Sequence, residues 1–394
     1  MFYNEGMDDD IVRLKALSEQ MSFEPAEDHG LASSPYPDRT ENCPDAVFVH
    51  PAVLPNGKRI KLLKTLLTSV CERDCYYCAF RKGRDFRRAT FRPEEFARLF
   101  LSLTRRGITE GVFLSSGMAG GGISTQDKLL DTADILRNKL GFRGYIHLKV
   151  MPGSEHAQVE RAMLLADRVS INLEAPNSER LLQLAPHKQF IQELLEPLKW
   201  MHEIRENRSP ARTWKGRWPS SVTQFVAGGA GETDLELLTA TQYLYHKLGL
   251  VRAYFSPFNP VPGTPLENQL PTPPIREHRL YQASFLLRDY GFDIEELPFE
   301  EDGLLPVKVD PKLAWARKNL VGSPIEINRA DRQELIRVPG IGIKGAEIIM
   351  RARRQAKILD LSALKKLGLL AERAAPFLLF NGRKMVYQPS LFSN

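Results

Sequence analysis

The sequence predicts an α/β fold built on a parallel sheet, followed by a small all-α domain. Three observations predict it: six short β-rich apolar runs, longer stretches of 3.6-residue periodicity between them, and a basic helical tail punctuated by glycine. With 394 residues, 43% hydrophobic and 26% charged, the chain has material for two or three domains. No apolar run approaches the roughly 20 residues that cross a bilayer, and Asp8, Asp9 and Asp10 stand where a signal peptide is basic. These features exclude the membrane and secreted classes. Gly and Pro, 27 of each, are near average usage and exclude collagenous and wholly disordered chains.

Residues 1–60 read as an irregular lead-in with one amphipathic helix at 8–21 and many prolines. Candidate strands follow at 65–70, 111–114, 145–150, 168–173, 221–226 and 251–256. Helical patterns lie between them at 93–106, 127–140, 156–166, 190–205 and 233–248. Pro93 suits a first helical turn, and Gly107, Gly141 and Gly249 suit helix ends. Strand then helix, repeated about six times, implies right-handed crossovers in a parallel sheet, either open and doubly wound or an incomplete βα barrel. Both place chemistry at the C-terminal ends of the strands. A Pro-rich stretch at 259–274 closes the sixth unit, a helix at 276–290 completes the α/β domain of 61–290, and a linker at 291–322 leads to the helical domain 323–394.

Four cysteines cannot form a disulfide framework, and three of them, Cys71, Cys75 and Cys78, form C-x3-C-x2-C directly after the first strand. Such clustering points to metal in a reducing, cytoplasmic setting. Three thiolates hold three irons of a four-iron, four-sulfur cubane and leave the fourth open to a small molecule, whereas electron-transfer clusters usually take four cysteines. Structural zinc competes, but no histidine lies in the loop, His50 stands 21 residues upstream of Cys71, and Cys43 belongs to the Pro-rich lead-in. Cys43 reads as structural, with hydrogen donation to a product radical as the alternative.

The loop resembles the hallmark of the radical S-adenosylmethionine superfamily, C-x3-C-x-aromatic-C after the first strand of a partial (βα)6 TIM-type barrel, with Tyr77 in the aromatic position. The resemblance covers roughly 61–290. It implies a 4Fe–4S cluster on Cys71, Cys75 and Cys78 and S-adenosyl-L-methionine chelating the open iron. One-electron reduction would then release a 5′-deoxyadenosyl radical that abstracts hydrogen from the substrate. It further implies a one-electron donor such as flavodoxin or ferredoxin. Ser115, Ser116 and Gly117 occupy the place of the family's turn around the methionine amino group, although its Glu is missing. Val226 and Gly228 occupy that of the Gly-rich turn near the adenine, and the run 254–265 resembles the segment that reads the adenine edge.

In the fourth strand, alternation directs Ser170, Asn172 and Glu174 to one face, where they suit a ribose or a self-satisfied polar layer. Lys149 can take a carboxylate or phosphate, or snorkel to the surface. Residues 81–88 hold five cations around Phe86, which either track a phosphate backbone or form a solvated loop. Gly120, Gly121 and Gly122 read as a flexible loop.

Charge is uneven. Residues 323–394 carry 13 Lys or Arg against 6 Asp or Glu, a net of +7, and the rest carries 41 against 42. Here a helix capped from 328–331 ends at Val338, Pro339-Gly340-Ile341-Gly342 turns the chain, and a second helix runs over 344–354. The sequence 335–346 resembles the helix-hairpin-helix motif of non-sequence-specific DNA-binding proteins. The resemblance implies phosphate contact by Gly340, Ile341, Gly342, Lys344 and Arg351, in a field from Arg353, Arg354, Lys357, Lys365 and Lys366. Residues 361–380 resemble a degenerate second copy. Barrel and hairpin together are similar to the bacterial family of DNA modification/repair radical SAM proteins, which implies a radical enzyme acting on DNA or structured RNA. A non-catalytic iron–sulfur DNA-binding module, or a radical enzyme for a metabolite or protein, are the competing readings.

Overall fold

The computed structural model describes residues 5–19, 21, 49–54 and 57–385. Cys43 and most of the Pro-rich lead-in lie outside the described residues. The chain divides into two compact units, one of Met1–Glu232 with Tyr243–Thr272, the other of Thr233–Gln242 with Pro273–Asn394.

The first unit starts with α1 (Glu5–Glu19), β1 (Val49–Val53) and β2 (Arg59–Leu66). Next come α2 (Pro93–Arg105), β3 (Gly111–Ser115), α3 (Gly121–Asp134), β4 (Tyr145–Lys149), α4 (His156–Leu165) and β5 (Arg168–Ser170). Then follow α5 (Ser178–Leu184), α6 (Glu196–Asn207), β6 (Ser220–Ala227), α7 (Asp234–Leu248), whose residues up to Gln242 count with the second unit, and β7 (Arg252–Pro257). π-helical turns at Ile135–Lys139 and Phe190–Leu195 extend α3 and precede α6.

The seven strands lie in sequence order; β2 through β7 are parallel to one another, and β1 is antiparallel to β2. This order decides between the two architectures left open by periodicity. A doubly wound sheet reverses direction and places helices on both faces. Strands added always on the same side by right-handed crossovers keep their helices on one face, so the sheet curls into a half-barrel. This is the α/β partial barrel.

Alternation along the strands produces two unlike faces. Val112, Leu114, Ile146, Leu148, Val169, Phe225 and Phe255, all essentially inaccessible, form the helix-facing core. Helix α2 shows why a helix docks there. Pro93 opens it, Glu95 accepts from the Arg92 N–H at 3.1 Å, and Phe96, Phe100 and Leu103 make one apolar stripe. Phe100 meets Phe142 edge to face at 5.0 Å, and full burial of such a ring contributes about 1.5–3 kcal/mol.

The first two strands differ from expectation. The ladder of β2 spans Arg59–Leu66 rather than 65–70, because beyond Leu66 the chain makes only an isolated antiparallel bridge, Thr68 to Thr90. Lys61 and Lys64 interrupt the apolar pattern that marks a strand. Strand β1 lies in the lead-in read as irregular; Pro51 is tolerated because β1 is an edge strand. Strand β5 keeps only 168–170 of its expected length.

The second unit holds α8 (Pro274–Asp289), α9 (Pro311–Asn319), β8 (Ile325–Glu326), α10 (Arg332–Arg337) and α11 (Ile343–Ala352). It closes with α12 (Leu361–Lys366), α13 (Ala371–Ala374), β9 (Leu378–Phe380) and β10 (Arg383–Lys384). It is not all-helical: β10, β9 and β8 form a three-stranded sheet from runs too short to show alternation. Within 291–322, α9 contributes Ala316, and Leu320 follows it into the core of this unit, so the stretch expected as a linker is partly packed structure.

Candidate functional site

The cysteine loop leaves the C-terminal end of β2 and is closed at its base by local bonds. The Leu67 N–H donates to Ser115 O at 2.8 Å, the Gly117 N–H to Thr68 O at 2.7 Å, and the Phe91 N–H to Leu67 O at 2.9 Å. Gly117 is dictated by closeness: a Cβ there would lie 2.4 Å from Val70 O and 3.0 Å from Thr68 O. Ser115 and Ser116 are buried beside it, and the Ser116 hydroxyl donates to Gly117 O at 2.7 Å.

Beyond Val70 the loop is held by its own charged residues. Glu72 accepts from the N–H groups of Gly120 (3.1 Å) and Gly121 (2.9 Å). The glycine run read as a flexible loop is thus pinned to the cysteines, and Gly122 lies where a Cβ would meet Pro152 O at 2.1 Å. Arg73 donates to His187 O at 2.7 Å and pairs with Glu193; Asp74 meets His187 Nδ1 at 2.6 Å; the Tyr76 N–H donates to Leu184 O at 2.7 Å. In 81–88, Arg88 donates to Ser69 O (2.7 Å), Phe80 O (3.1 Å) and Arg81 O (3.1 Å), and lies 4.3 Å over the Phe86 ring. Arg84 donates to Ala79 O, and to Pro262 O at 3.0 Å. These two cations brace the loop, which leaves Lys82 and Arg87 as its exposed cations.

Cys75 is buried, and Cys71 and Cys78 are partly exposed. Burial pushes the Cys75 thiol up; Lys188 opposes this, and Glu174 and Cys71 add to it. Burial and the Cys75 charge push Cys78 well above the ordinary thiol range. Cys75 and Cys78, two thiols that resist ionisation side by side, form with Cys71 a donor set whose repulsion a polycationic iron cluster relieves. The Phe80 N–H also donates to Cys78 Sγ at 3.4 Å, the kind of bond that tunes cluster sulfurs. Among the described residues no three His, Cys, Asp or Glu side chains converge on a single metal ion. A cubane, in which each cysteine holds a different iron, does not require that convergence. The residues therefore fit a cluster better than zinc.

Glu174 departs from the face expected by alternation. Strand β5 has ended, and Glu174 takes a left-handed backbone (φ 64°), a strained state for a non-glycine residue. Its N–H donates to Gln224 O at 3.0 Å and its carbonyl accepts from the Val226 N–H at 2.7 Å. Its carboxylate, 6% exposed, pairs with Lys188 at 3.1 Å and acts electrostatically on the Tyr77 phenol. Burial, then the Glu174 charge, pushes the Tyr77 phenol up. Lys188 is the residue that sequence reasoning missed. Burial lowers its pKa, but Cys75 and Glu174 outweigh that and raise it, so the ammonium stays charged beside the cysteines. Its only sequence signal is a break between two helical runs.

Asn172 accepts from Lys149 Nζ at 2.5 Å and, with Ser170, lines the barrel interior. Val226 lies near the end of β6 and Gly228 just beyond it, where Glu232 accepts from the Gly228 N–H and, at 3.1 Å, from the Ala230 N–H. The three cysteines, Tyr77, Glu174 and Lys188 thus converge, with Val226 bonded to Glu174, and Ser116 to Gly117 at the loop base.

In the second unit Asp331, not Asn328, caps α10. It accepts from the Glu334 N–H at 2.8 Å, and Glu334 accepts from the Asp331 N–H at 2.7 Å. Asn328 instead clasps both backbone groups of Ile358. The turn between α10 and α11 uses Gly340 at φ 86°, where a Cβ would lie 2.7 Å from Leu370 O. The side chain of Ile341 is 1% exposed in the core of this unit. Lys344 and Arg351 are exposed. Arg353 donates to Ile327 O (3.0 Å) and Ala330 O (2.6 Å), and Lys365 pairs with Glu372 at 2.7 Å, so neither is a plain field charge. Helices α12 and α13, joined across Gly368 at φ 77°, form the second helix–turn–helix.

The family model of the radical SAM superfamily matches residues 65–244. No curated protein matches the chain. Similar solved structures include the FeFe-hydrogenase maturase HydG from Carboxydothermus hydrogenoformans, 15% identical over 58% of this chain and 51% of that one, with a TM-score of 0.44. Methylornithine synthase (PylB) is 16% identical over 59% and 63%, at 0.46. Coproporphyrinogen III oxidase (HemN) from Escherichia coli is 13% identical over 57% and 51%, at 0.36. The chain spans 51% to 63% of the length of these three. Among the described residues no helix is long and apolar enough to cross a membrane. Residues 65–244 are a radical SAM domain, the catalytic domain of enzymes that use a 4Fe–4S cluster and S-adenosylmethionine, with Cys71, Cys75 and Cys78 at that superfamily's spacing.

Proposed function

We propose that the chain is a radical S-adenosylmethionine enzyme acting on nucleic acid, modifying or repairing a base or sugar carbon of DNA or structured RNA. The observation that carries the reading is that one chain joins a three-thiol loop at the strand ends to a separate basic unit with a glycine-turned helix pair. Cys71, Cys75 and Cys78 would hold the cluster. When bound, the cluster and S-adenosylmethionine supply a 5′-deoxyadenosyl radical for hydrogen abstraction, with the electron coming from a small donor of the flavodoxin or ferredoxin kind.

The chain's own residues do the rest. Lys188 keeps a fixed positive charge beside the thiols and neutralises Glu174, whose charge acts on the Tyr77 phenol within the loop. Ser115, Ser116, Gly117, Asn172, Val226 and Gly228 are the proposed contacts to S-adenosylmethionine around the strand ends. In the second unit the backbone of Gly340–Gly342 and the first N–H groups of α11 are the proposed phosphate contact, with Lys344 and Arg351 as charges. This contact is blind to sequence, so the specificity would lie in the barrel.

The test is anaerobic reconstitution with reductant and S-adenosylmethionine, followed by assay of 5′-deoxyadenosine and of duplex DNA binding across salt. The expected result is cofactor cleavage, and DNA binding that weakens steeply with salt and is lost on Lys344→Glu. Absent cleavage would leave a non-catalytic iron–sulfur module; salt-insensitive or absent binding would point to a metabolite or protein substrate.

A further inference from the structure

Lysine is rarely buried, and a buried ion pair gains little over apolar side chains of the same volume. The Lys188–Glu174 pair therefore calls for a reason other than stability. Its side chains are 9% and 7% exposed and meet at 3.1 Å. Glu174 reaches this place on a left-handed backbone, φ 64°, a strained state that persists only where its surroundings over-determine it. Lys188 reaches it from a turn beyond α5, where Pro186 follows the helix and the Lys188 N–H donates to Ala185 O at 3.0 Å.

That turn is fastened to the residues around Cys75. The Tyr76 N–H donates to Leu184 O at 2.7 Å, Arg73 donates to His187 O at 2.7 Å, and Asp74 meets His187 Nδ1 at 2.6 Å. Residues 184–188 are thus held against 73–76, on both sides of the middle cysteine. The thiols feel the positive end of the pair. On Cys75 the attraction of Lys188 exceeds the repulsion of Glu174, and Lys188 is in turn held more strongly by Cys75 than by Glu174. The same attraction reaches Cys78.

A four-iron cluster with three thiolates carries net negative charge, and an added electron increases it. A cation fixed beside it in a low-dielectric site favours the reduced form. We infer that Lys188 raises the reduction potential of the cluster on Cys71, Cys75 and Cys78, and that Glu174 is the positioning residue that holds its ammonium there while tempering its effect. The inference rests on the cluster part of the reading above and is independent of the nucleic-acid substrate. One unit charge acting through an effective dielectric of about 20 changes an equilibrium about tenfold at a separation of about 12 Å, and tenfold is about 59 mV for one electron.

The measurement is an anaerobic redox titration of the full, reconstituted chain without S-adenosylmethionine, followed by electron paramagnetic resonance of the reduced cluster. Glu174→Gln and the double variant Glu174→Gln/Lys188→Met differ by one charge at nearly constant volume, and neither leaves a buried carboxylate unpaired. The midpoint of the double variant should lie about 59 mV lower, a tenfold less favourable reduction. Glu174→Gln should lie above wild type, and Lys188→Arg, which keeps the charge, close to it. A merely structural pair would alter iron content or melting temperature and leave the midpoint of the retained cluster in place. Equal midpoints in Glu174→Gln and the double variant, or a higher one in the double variant, would overturn the inference. Loss of the cluster from the double variant would overturn it too, since Lys188 would then serve to retain the metal. Wild-type chain that takes up no iron–sulfur cluster would overturn the cofactor reading itself, a result distinct from a cluster whose midpoint ignores Lys188.

Discussion

Replacing Gly117 by Ala is the sharpest test of how the cysteine loop is seated. The added Cβ would lie 2.4 Å from Val70 O, 3.0 Å from Val70 C and 3.0 Å from Thr68 O. Ordinary contacts of this kind begin near 3.4 Å, so the backbone must part by about 1 Å, and every obstructing atom is main chain that cannot rotate away. Gly117 does not adopt a positive φ, so the cost is steric rather than conformational. An overpacked site of this kind loses about 1–3 kcal/mol. The displaced residue, Val70, immediately precedes Cys71, so the loss should appear first in the metal site. After anaerobic reconstitution, the variant should hold clearly less iron and sulfide per chain than wild type and melt at a lower temperature. Gly322→Ala, where a Cβ meets nothing within 4 Å, is the matched control and should match wild type in both. Full iron loading together with a wild-type melting temperature in Gly117→Ala would refute the argument.

Two further predictions concern buried amines. Lys188→Met should destabilise the barrel by about 3–5 kcal/mol by leaving Glu174 charged and unpaired, and adding Glu174→Gln should recover most of the loss; a denaturation series lacking that recovery would rule out the pairing as its cause. Lys312, whose ammonium donates to Ile341 O at 2.6 Å and lies 4.8 Å over Tyr290, has its pKa lowered by burial to about 7, with Asp310 raising it and Arg373 lowering it further. The unfolded chain therefore holds more protons between about pH 7 and pH 10.5, and stability should rise with pH across that window, by up to about 1.4 kcal/mol per pH unit. Lys312→Met should lack that increment in melts run at pH 7 and pH 9; an identical slope in the two proteins would remove Lys312 as its source.

The sequence discloses periodicity and punctuation, and wherever those govern, expectation and structure agree. Helices α2, α4, α7 and α8 fall within two residues of their expected bounds because Pro and Gly mark their ends. The expected start of β2 lies six residues late because Lys61 and Lys64 break the apolar run, and only the curled sheet explains why a lysine can be buried there. The Cys-x3-Cys-x2-Cys spacing is local and therefore legible, whereas Lys188 meets Glu174 through tertiary folding, and its partner cannot be found by counting residues. Long cationic side chains mislead in both directions. Arg84 and Arg88 look like phosphate ligands but spend their donors on nearby carbonyls, while Lys149 looks equally suited to the surface but lies inside the barrel. The turn's sequence likewise does not disclose that the Ile341 side chain serves the core.

The arginines that grip carbonyls around Phe86 bear on how the metal arrives. Because Arg88, Arg84 and Glu72 fasten the loop to its own backbone and to the neighbouring glycine turn, much of the ordering entropy of the cradle is lost when the polypeptide folds, before any iron is delivered. Metallation becomes the filling of a ready mould, unlike a zinc finger, where ion and fold arrive together. Iron-delivery partners would then meet a finished receptacle, and a chelator should strip the metal while the barrel stays folded.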